Sequence, residues 1–337
     1  MKYNPALDAI RAVAVIAVVA FHSGLPLATG GFIGVDIFFV LSGFLITTLV
    51  RAEIRQTGTL AIGRFYWRRA LRLWPPLLLM LGAYAVIVPA VFPDTPVVRD
   101  VLITGVYFSD YSRALWGWPD LLNHTWSLSV EMHFYLIWPL VILAAARWTD
   151  RRVAALFALL FVLATAWRVL DLWAYRDWAH TYYRFDTRLS GLFAGGFIAV
   201  VPWRLGSAMS HTVTALAVLV LGACVAMLRW RMFDALTWVG IIVDFASAGL
   251  VGSIASGASA HVARALSARP LVYVGLISYA VYLWHYPIAR LVREHFDPAV
   301  TFLIVASLSI AMAALSYEFL EKPLRARRLR YGEGPRR

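Results

Sequence analysis

The sequence predicts an all-α fold, a polytopic membrane helical bundle of about ten transmembrane helices with the N- and C-termini cytoplasmic. Three observations carry that expectation. Of 337 residues, 61% are apolar and only 15% charged, and the mean hydropathy is +0.70, a balance foreign to water-soluble domains. The apolar residues fall in runs of about 17–22, long enough for a helix to cross a hydrocarbon core of about 30 Å and too long for barrel strands. Arginine clusters in short segments beside those runs, as the positive-inside bias requires.

The spans follow in chain order from run length and punctuation: 7–25, 31–50, 75–92, 128–146, 153–170, 188–203, 211–229, 236–255, 271–293 and 299–320. The first could be mistaken for a cleaved signal peptide, but Asp8 and Arg11 interrupt it and an equally apolar run follows, so a retained first helix is expected. The stretch 97–109 (VVRDVLITGVYFS) is too short to cross and is expected to be re-entrant or interfacial. A cytoplasmic N-terminus places Arg51, Arg55, Arg64, Arg68, Arg69, Arg72, Arg147, Arg151, Arg152, Arg204, Arg264, Arg269 and the tail from Lys322 to Arg337 on one side, about two thirds of the basic residues. Residues 1–325 are expected to form one membrane domain and 326–337 a basic cytoplasmic tail lying on anionic lipid. The net charge of +12 is thereby explained by the membrane, and no nucleic-acid motif is present. The single cysteine, Cys224, excludes an intrachain disulfide and a cysteine-based metal site.

Ionisable residues inside such runs carry the functional signal, because lipid makes them costly. In 7–24 (LDAIRAVAVIAVVAFHSG), His22 follows Arg11 by eleven positions. On a helix the two side chains differ by about 20° in direction and lie about 16 Å apart along the axis. Both are expected to face one protein-lined cavity. Arg11 is either a snorkelling end residue paired with Asp8 or a functional group; His22 is either a packing histidine or a base that takes a proton from a hydroxyl. In 30–50 (GGFIGVDIFFVLSGFLITTLV), Asp36 either sits at the outer interface or holds a partner such as His22 or an arginine.

The segment 64–76 (RFYWRRALRLWPP) presents Arg68 and Arg72 at i,i+4 with Arg69 beside them, and two prolines open the next span. Positive-inside accounts for the arginines, and so does a phosphorylated ligand. In 121–141 (LLNHTWSLSVEMHFYLIWPLV), Ser127 and Glu131 share a helix face, and His124 and His133 are not explained by interfacial aromatic chemistry. Asp186 and Arg188 in 182–196 (YYRFDTRLSGLFAGG) suit an interfacial ion pair. His285 in 277–288 (ISYAVYLWHYPI) reads as a satisfied core histidine.

The order of these fragments, closing on YEFLEKP, resembles the acyltransferase-3 family of membrane acyltransferases from residue 7 to about 325. The resemblance implies ten transmembrane helices and an O-acyltransferase that takes a short acyl group, acetyl favoured, from acyl-CoA (acetyl-CoA) at the cytoplasmic side. It implies His22, Arg11 and Glu131 as catalytic residues and Arg68, Arg69 and Arg72 at the acyl-CoA side. Glu321 takes the place of the acid in ExP, and Asp8, Asp36, Ser127, Asp186, Arg188 and His285 are supporting residues. No metal is expected. The implied acceptor is a hydroxyl of a glycan or glycosylated small molecule, and the implied setting is the cell membrane with its lipids. His133 departs from the family pattern, where an acid or small polar residue is expected, and the chain is expected to lack the extracytoplasmic esterase-like domain of some members. A proton-coupled transporter would use similar intramembrane charges but predicts internal repeats, which the sequence does not show. A scaffolding role leaves the polar face of the first span without purpose.

Overall fold

The computed structural model describes residues 3–201, 203, 205–257, 264 and 266–324. The tail 326–337 and Arg204 therefore lie outside the described residues. Among those described there is no strand, and eight helices are long and apolar enough to cross a membrane. A bent pair of helices, Arg269–Leu276 and Ser278–Val292, makes a ninth if it is counted as one span. The tenth expected span, 188–203, appears as a helix of only eleven residues.

Helix α1 (Pro5–His22) starts where it should: the Asn4 side chain accepts the Ala6 N–H and Pro5 occupies the first turn. The Asn4 amide also donates to the Ile254 carbonyl at 3.1 Å, tying the start of α1 to the end of a later helix. Helix α2 (Gly34–Thr57) ends at Gly58, which takes the left-handed conformation at φ 76°. Helix α3 runs Ile62–Val91 and corrects the expected start at 75, because it continues through Pro75 and Pro76. Each proline removes one N–H from the ladder. The buried stripe of Phe65, Leu73, Pro76, Leu77 and Met80 holds both halves in line against the bundle.

The stretch 97–109 contributes two short helices, α4 (Val97–Gly105) and the start of α5 (Ser109–Trp116), neither long enough to span. Then come α6 (Trp126–Ala144), α7 (Asp150–Tyr175), the single turn-and-a-half of α8 (Trp178–Tyr183), and α9 (Ser190–Val200). At about 1.5 Å per residue, α9 reaches about half-way through a bilayer. Such a half-helix is tolerated at membrane depth only when protein surrounds it, and all of α9 except Phe197 and Ala199 is buried. Glycines permit the contact. A Cβ on Gly195 would meet the Val40 carbonyl oxygen at 2.0 Å, and one on Gly43 the Leu192 carbonyl oxygen at 1.9 Å, so α2 and α9 cross backbone to backbone. A buried polar relay pins its first turn: Arg168 Nη1 donates to Ser190 Oγ at 2.9 Å, and Ser190 Oγ donates to Asp244 Oδ2 at 2.7 Å.

Helices α10 (Ser207–Met227) and α11 (Trp238–Ala255) form the next crossing pair. The expected span 271–293 is broken into α12 (Arg269–Leu276) and α13 (Ser278–Val292), which meet at 74°. Gly275 lets α12 lie directly on α1, since a Cβ there would come within 1.7 Å of the Asp8 carbonyl oxygen. Helix α14 (Pro298–Ser316), capped by the Asp297 carboxylate, closes the bundle and leads into a π-helical turn at Tyr317–Glu321.

Candidate functional site

Two cavities lie along the middle of the bundle. The near one, toward the N-terminal end of α1, has a volume of about 840 Å³ and takes walls from α1, α2, α3, α6 and α13. Its charged and polar lining includes Arg11, Ser42, Arg69, Arg72, Ser127, Glu131 and Tyr135. The far one, of about 1070 Å³, holds His22 and His124. Val35 and Tyr282 line both, so they form the wall between them.

In the near cavity, Arg11 Nη1 bonds Asp8 Oδ1 at 2.5 Å, while Tyr3 donates to the other Asp8 oxygen at 2.7 Å. Arg11 is thus both paired, as an end residue would be, and turned to the cavity. Arg69 and Arg72 line the same space and Arg68 does not. That corrects the expected Arg68–Arg72 pairing: the inward stripe of α3 runs Phe65, Arg69, Arg72, Leu73 and Pro76, and Arg68 lies about 100° around the helix from Arg69. The Arg69 guanidinium rests over the Tyr135 and Phe65 rings at 5.3 and 5.6 Å, which holds its planar donors in place. Glu131 accepts from Ser42 Oγ at 2.5 Å, and Ser42 lies 3.1 Å from the Tyr135 hydroxyl. One turn before Glu131, Ser127 Oγ meets the Tyr282 hydroxyl at 2.7 Å. Tyr282 in turn donates to the His124 carbonyl at 2.9 Å, so the dividing wall is clamped from two sides.

The far cavity is organised by imidazoles. His285 Nδ1 lies 2.5 Å from the Tyr282 carbonyl. A carbonyl only accepts, so Nδ1 carries the proton and, in the neutral ring, Nε2 is the acceptor. Nε2 lies 3.1 Å from His22 Nδ1, which must then be the donor. His22 is left with its Nε2 lone pair free, on a ring that lines the cavity. His124 Nε2 is likewise assigned as donor by the Leu283 carbonyl at 3.1 Å, and its Nδ1 is buried with no partner among the described residues. The three rings sit with centroids 5.1 Å (His22–His285) and 5.3 Å (His124–His285) apart.

Residues 4–320 match the family described as "Acyltransferase domain". The chain belongs to the acyltransferase-3 family. Among curated relatives of this family member, the peptidoglycan O-acetyltransferase OatA of Listeria monocytogenes serovar 1/2a is 32% identical, the alignment covering 96% of this chain and 56% of the relative. The O-acetyltransferase OatA of Staphylococcus aureus is 31% identical, covering 96% of this chain and 57% of its own length. The chain spans about half the length of the curated relatives it matches. No solved structure matches it.

The site residues of this acyltransferase-family chain separate into groups that the sequence had merged. Arg11 and His22 line different cavities, which have Tyr282 and Val35 in common. Glu131 and Ser127 join Arg11 in the near cavity. Asp36 pairs with Arg188 at 2.6 Å, and the Arg188 guanidinium rests 4.6 Å from the Tyr182 ring centre. Asp186 therefore does not pair with Arg188 as expected; it bonds Arg184, which also reaches Asp171. Burial there opposes the charged guanidinium, but the Asp186 and Asp171 carboxylates outweigh it and hold Arg184 above the usual arginine range. Glu321 lines neither cavity and accepts from Ser316 at 3.4 Å. His133 faces the buried Asp110 carboxylate at 3.1 Å. Among the described residues no cluster of three or more His, Cys, Asp or Glu is arranged to hold a metal. Tyr135 and Tyr282 were missed by the sequence reading. A hydroxyl in an apolar helix gives no signal until its partner, tens or hundreds of positions away, is known.

Proposed function

We propose that the protein is a multi-pass cell-membrane O-acyltransferase. It moves a short acyl group, acetyl favoured, from acyl-CoA to a hydroxyl of a carbohydrate or glycosylated acceptor, with His22 as general base. The observation that carries this reading is the pair of cavities meeting at Tyr282, one lined by Arg11, Arg69 and Arg72 and the other bearing His22 and His124. The names of the relatives, O-acetyltransferases of peptidoglycan among them, support the glycan acceptor.

With the termini cytoplasmic, the near cavity opens toward the donor. Arg11, Arg69 and Arg72 offer three cationic groups against Glu131, a setting suited to the anionic nucleotide end of coenzyme A. The pantetheine arm is narrow and largely uncharged, and extends toward Tyr282. On the far side the acceptor hydroxyl approaches His22. Its proton passes to His22 Nε2 as its oxygen attacks the thioester carbonyl carbon. The tetrahedral adduct then collapses, the carbon–sulfur bond breaks, and the departing thiolate takes the proton from the imidazolium. The ester stays with the acceptor. Direct transfer is preferred to a covalent acyl-enzyme because no activated nucleophile accompanies the histidines. His124 Nδ1, an unmet acceptor in the same wall, suits a hydroxyl of the incoming sugar.

General-base catalysis typically contributes about 10²–10⁴ in rate. His22→Ala is expected to lower acyl transfer to acceptor by that order in membranes holding equal amounts of folded protein. Undiminished transfer in that variant rejects His22 as the base.

A further inference from the structure

Resting on the acyl-transfer reading, and naming the class of acceptor it uses, we infer that the far cavity holds an anion-binding subsite. Arg231 and Arg293 there engage a carboxylate or phosphate carried by an acidic carbohydrate.

The walls of that cavity hold Arg113, Arg231, Arg290 and Arg293 against a single acid, Asp120, a formal excess of three positive charges (four minus one). Arginine on the face opposite the termini runs against the positive-inside bias, so a cluster there needs a local cause. Asp120 explains half of it, because it bonds Arg113 and Arg290, each at 3.3 Å. Arg231 and Arg293 have no ion-pair partner among the described residues. Arg99, Arg184 and Arg188, which are paired with carboxylates, are not among the residues lining this cavity.

Two further features make this more than surface charge. Arg231 is a non-glycine residue at φ 67°, in the left-handed region that ordinary side chains rarely adopt. It directly follows Trp230, whose ring lines the cavity and lies 4.9 Å from the Tyr182 ring. The turn therefore presents an aromatic face and a guanidinium side by side. Arg293, which follows the last residue of α13, lines the same cavity as His22. A sugar ring has an apolar C–H face and a polar rim, which suits the aromatic wall. An acidic substituent on that sugar would meet the two free guanidinia while a hydroxyl faces His22. Guanidinium is suited to both carboxylate and phosphate, since its planar donors bond either one in pairs.

The test is donor-free equilibrium binding to the purified full chain. Three oligosaccharides matched in size serve as probes: one carboxylated, one carrying a phosphate ester and one neutral. At least one acidic probe should bind about tenfold more tightly than the neutral one, and the better of the two identifies the group. Arg231→Ala and Arg293→Ala should each erase that preference, and Arg293→Lys should keep most of it. Arg176→Ala and Arg229→Ala remove unpaired arginines outside the cavity and should leave the preference intact. Equal binding of all three probes overturns the inference, as does an equal loss in the Arg176 and Arg229 variants. A parallel transfer assay with acetyl-CoA separates the two claims. Charge-selective binding without transfer rejects the acyl-transfer reading alone, and transfer without charge selectivity rejects the subsite alone.

Discussion

His22 donates its Nδ1 proton to His285 Nε2, and the Tyr282 carbonyl fixes the proton on the other side of His285. Two contacts, one anchored on a backbone carbonyl, thus decide which nitrogen of His22 keeps a lone pair for chemistry. His285 is a positioning residue in this account. Replacing it with alanine should lower kcat roughly 10²-fold, at the lower bound of what a well-placed base supplies, while the KM for acyl-CoA stays unchanged. His285→Gln retains an accepting oxygen and should recover part of kcat. A drop in KM and kcat together, with no rescue by glutamine, would mean that His285 only fills space. The sequence exposed Arg11 and His22 because ionisable groups stand out in an apolar run. It could not expose the partnership with His285, which joins positions 263 apart. For the same reason Asp186 was matched with its neighbour Arg188, when the Asp36 carboxylate from another helix holds that arginine.

Elements were legible where composition governs them and illegible where packing does. Eight full-length spans followed from the apolar runs. Three departures came from tertiary structure. Helix α3 overrides two prolines because its inward stripe is continuous across them. The run 271–293 breaks where α12 lies flat on α1. The short helix α9 is accommodated because neighbouring helices enclose it, Arg168 of α7 and Asp244 of α11 meeting the Ser190 hydroxyl in its first turn. The α2–α9 crossing gives a direct stability prediction. Gly43→Ala forces a Cβ against the Leu192 carbonyl and should cost about 1–3 kcal/mol or more, as overpacking does. Gly82→Ala, in α3 with no atom within 4 Å of its Cβ, should be neutral or stabilise by about 0.5–1 kcal/mol. Thermal unfolding of the two variants in the same detergent measures the contrast, and equal melting temperatures would refute the close crossing.

The whole bundle places two polar chambers end to end. Both carry arginines; the one on the side where both termini are expected sets Arg11, Arg69 and Arg72 against Glu131, and the other adds His22, His124 and an aromatic wall, with Tyr282 and Val35 common to the two. On the proposed acyl-transfer reading, that arrangement would let a donor from one side of the membrane meet an acceptor from the other without either crossing. The family was legible in the sequence because its motifs keep their order over nearly the whole chain. The division into two chambers was not, because Tyr282 occupies the wall only through its bonds to Ser127 and the His124 backbone. The most direct test is a structure of the full chain with a non-transferable thioether analogue of acetyl-CoA. The account predicts the nucleotide phosphates beside Arg69 and Arg72, and the acyl carbonyl at the Tyr282 wall within reach of His22. An analogue bound wholly in the far cavity, or with its phosphates away from those arginines, would contradict it.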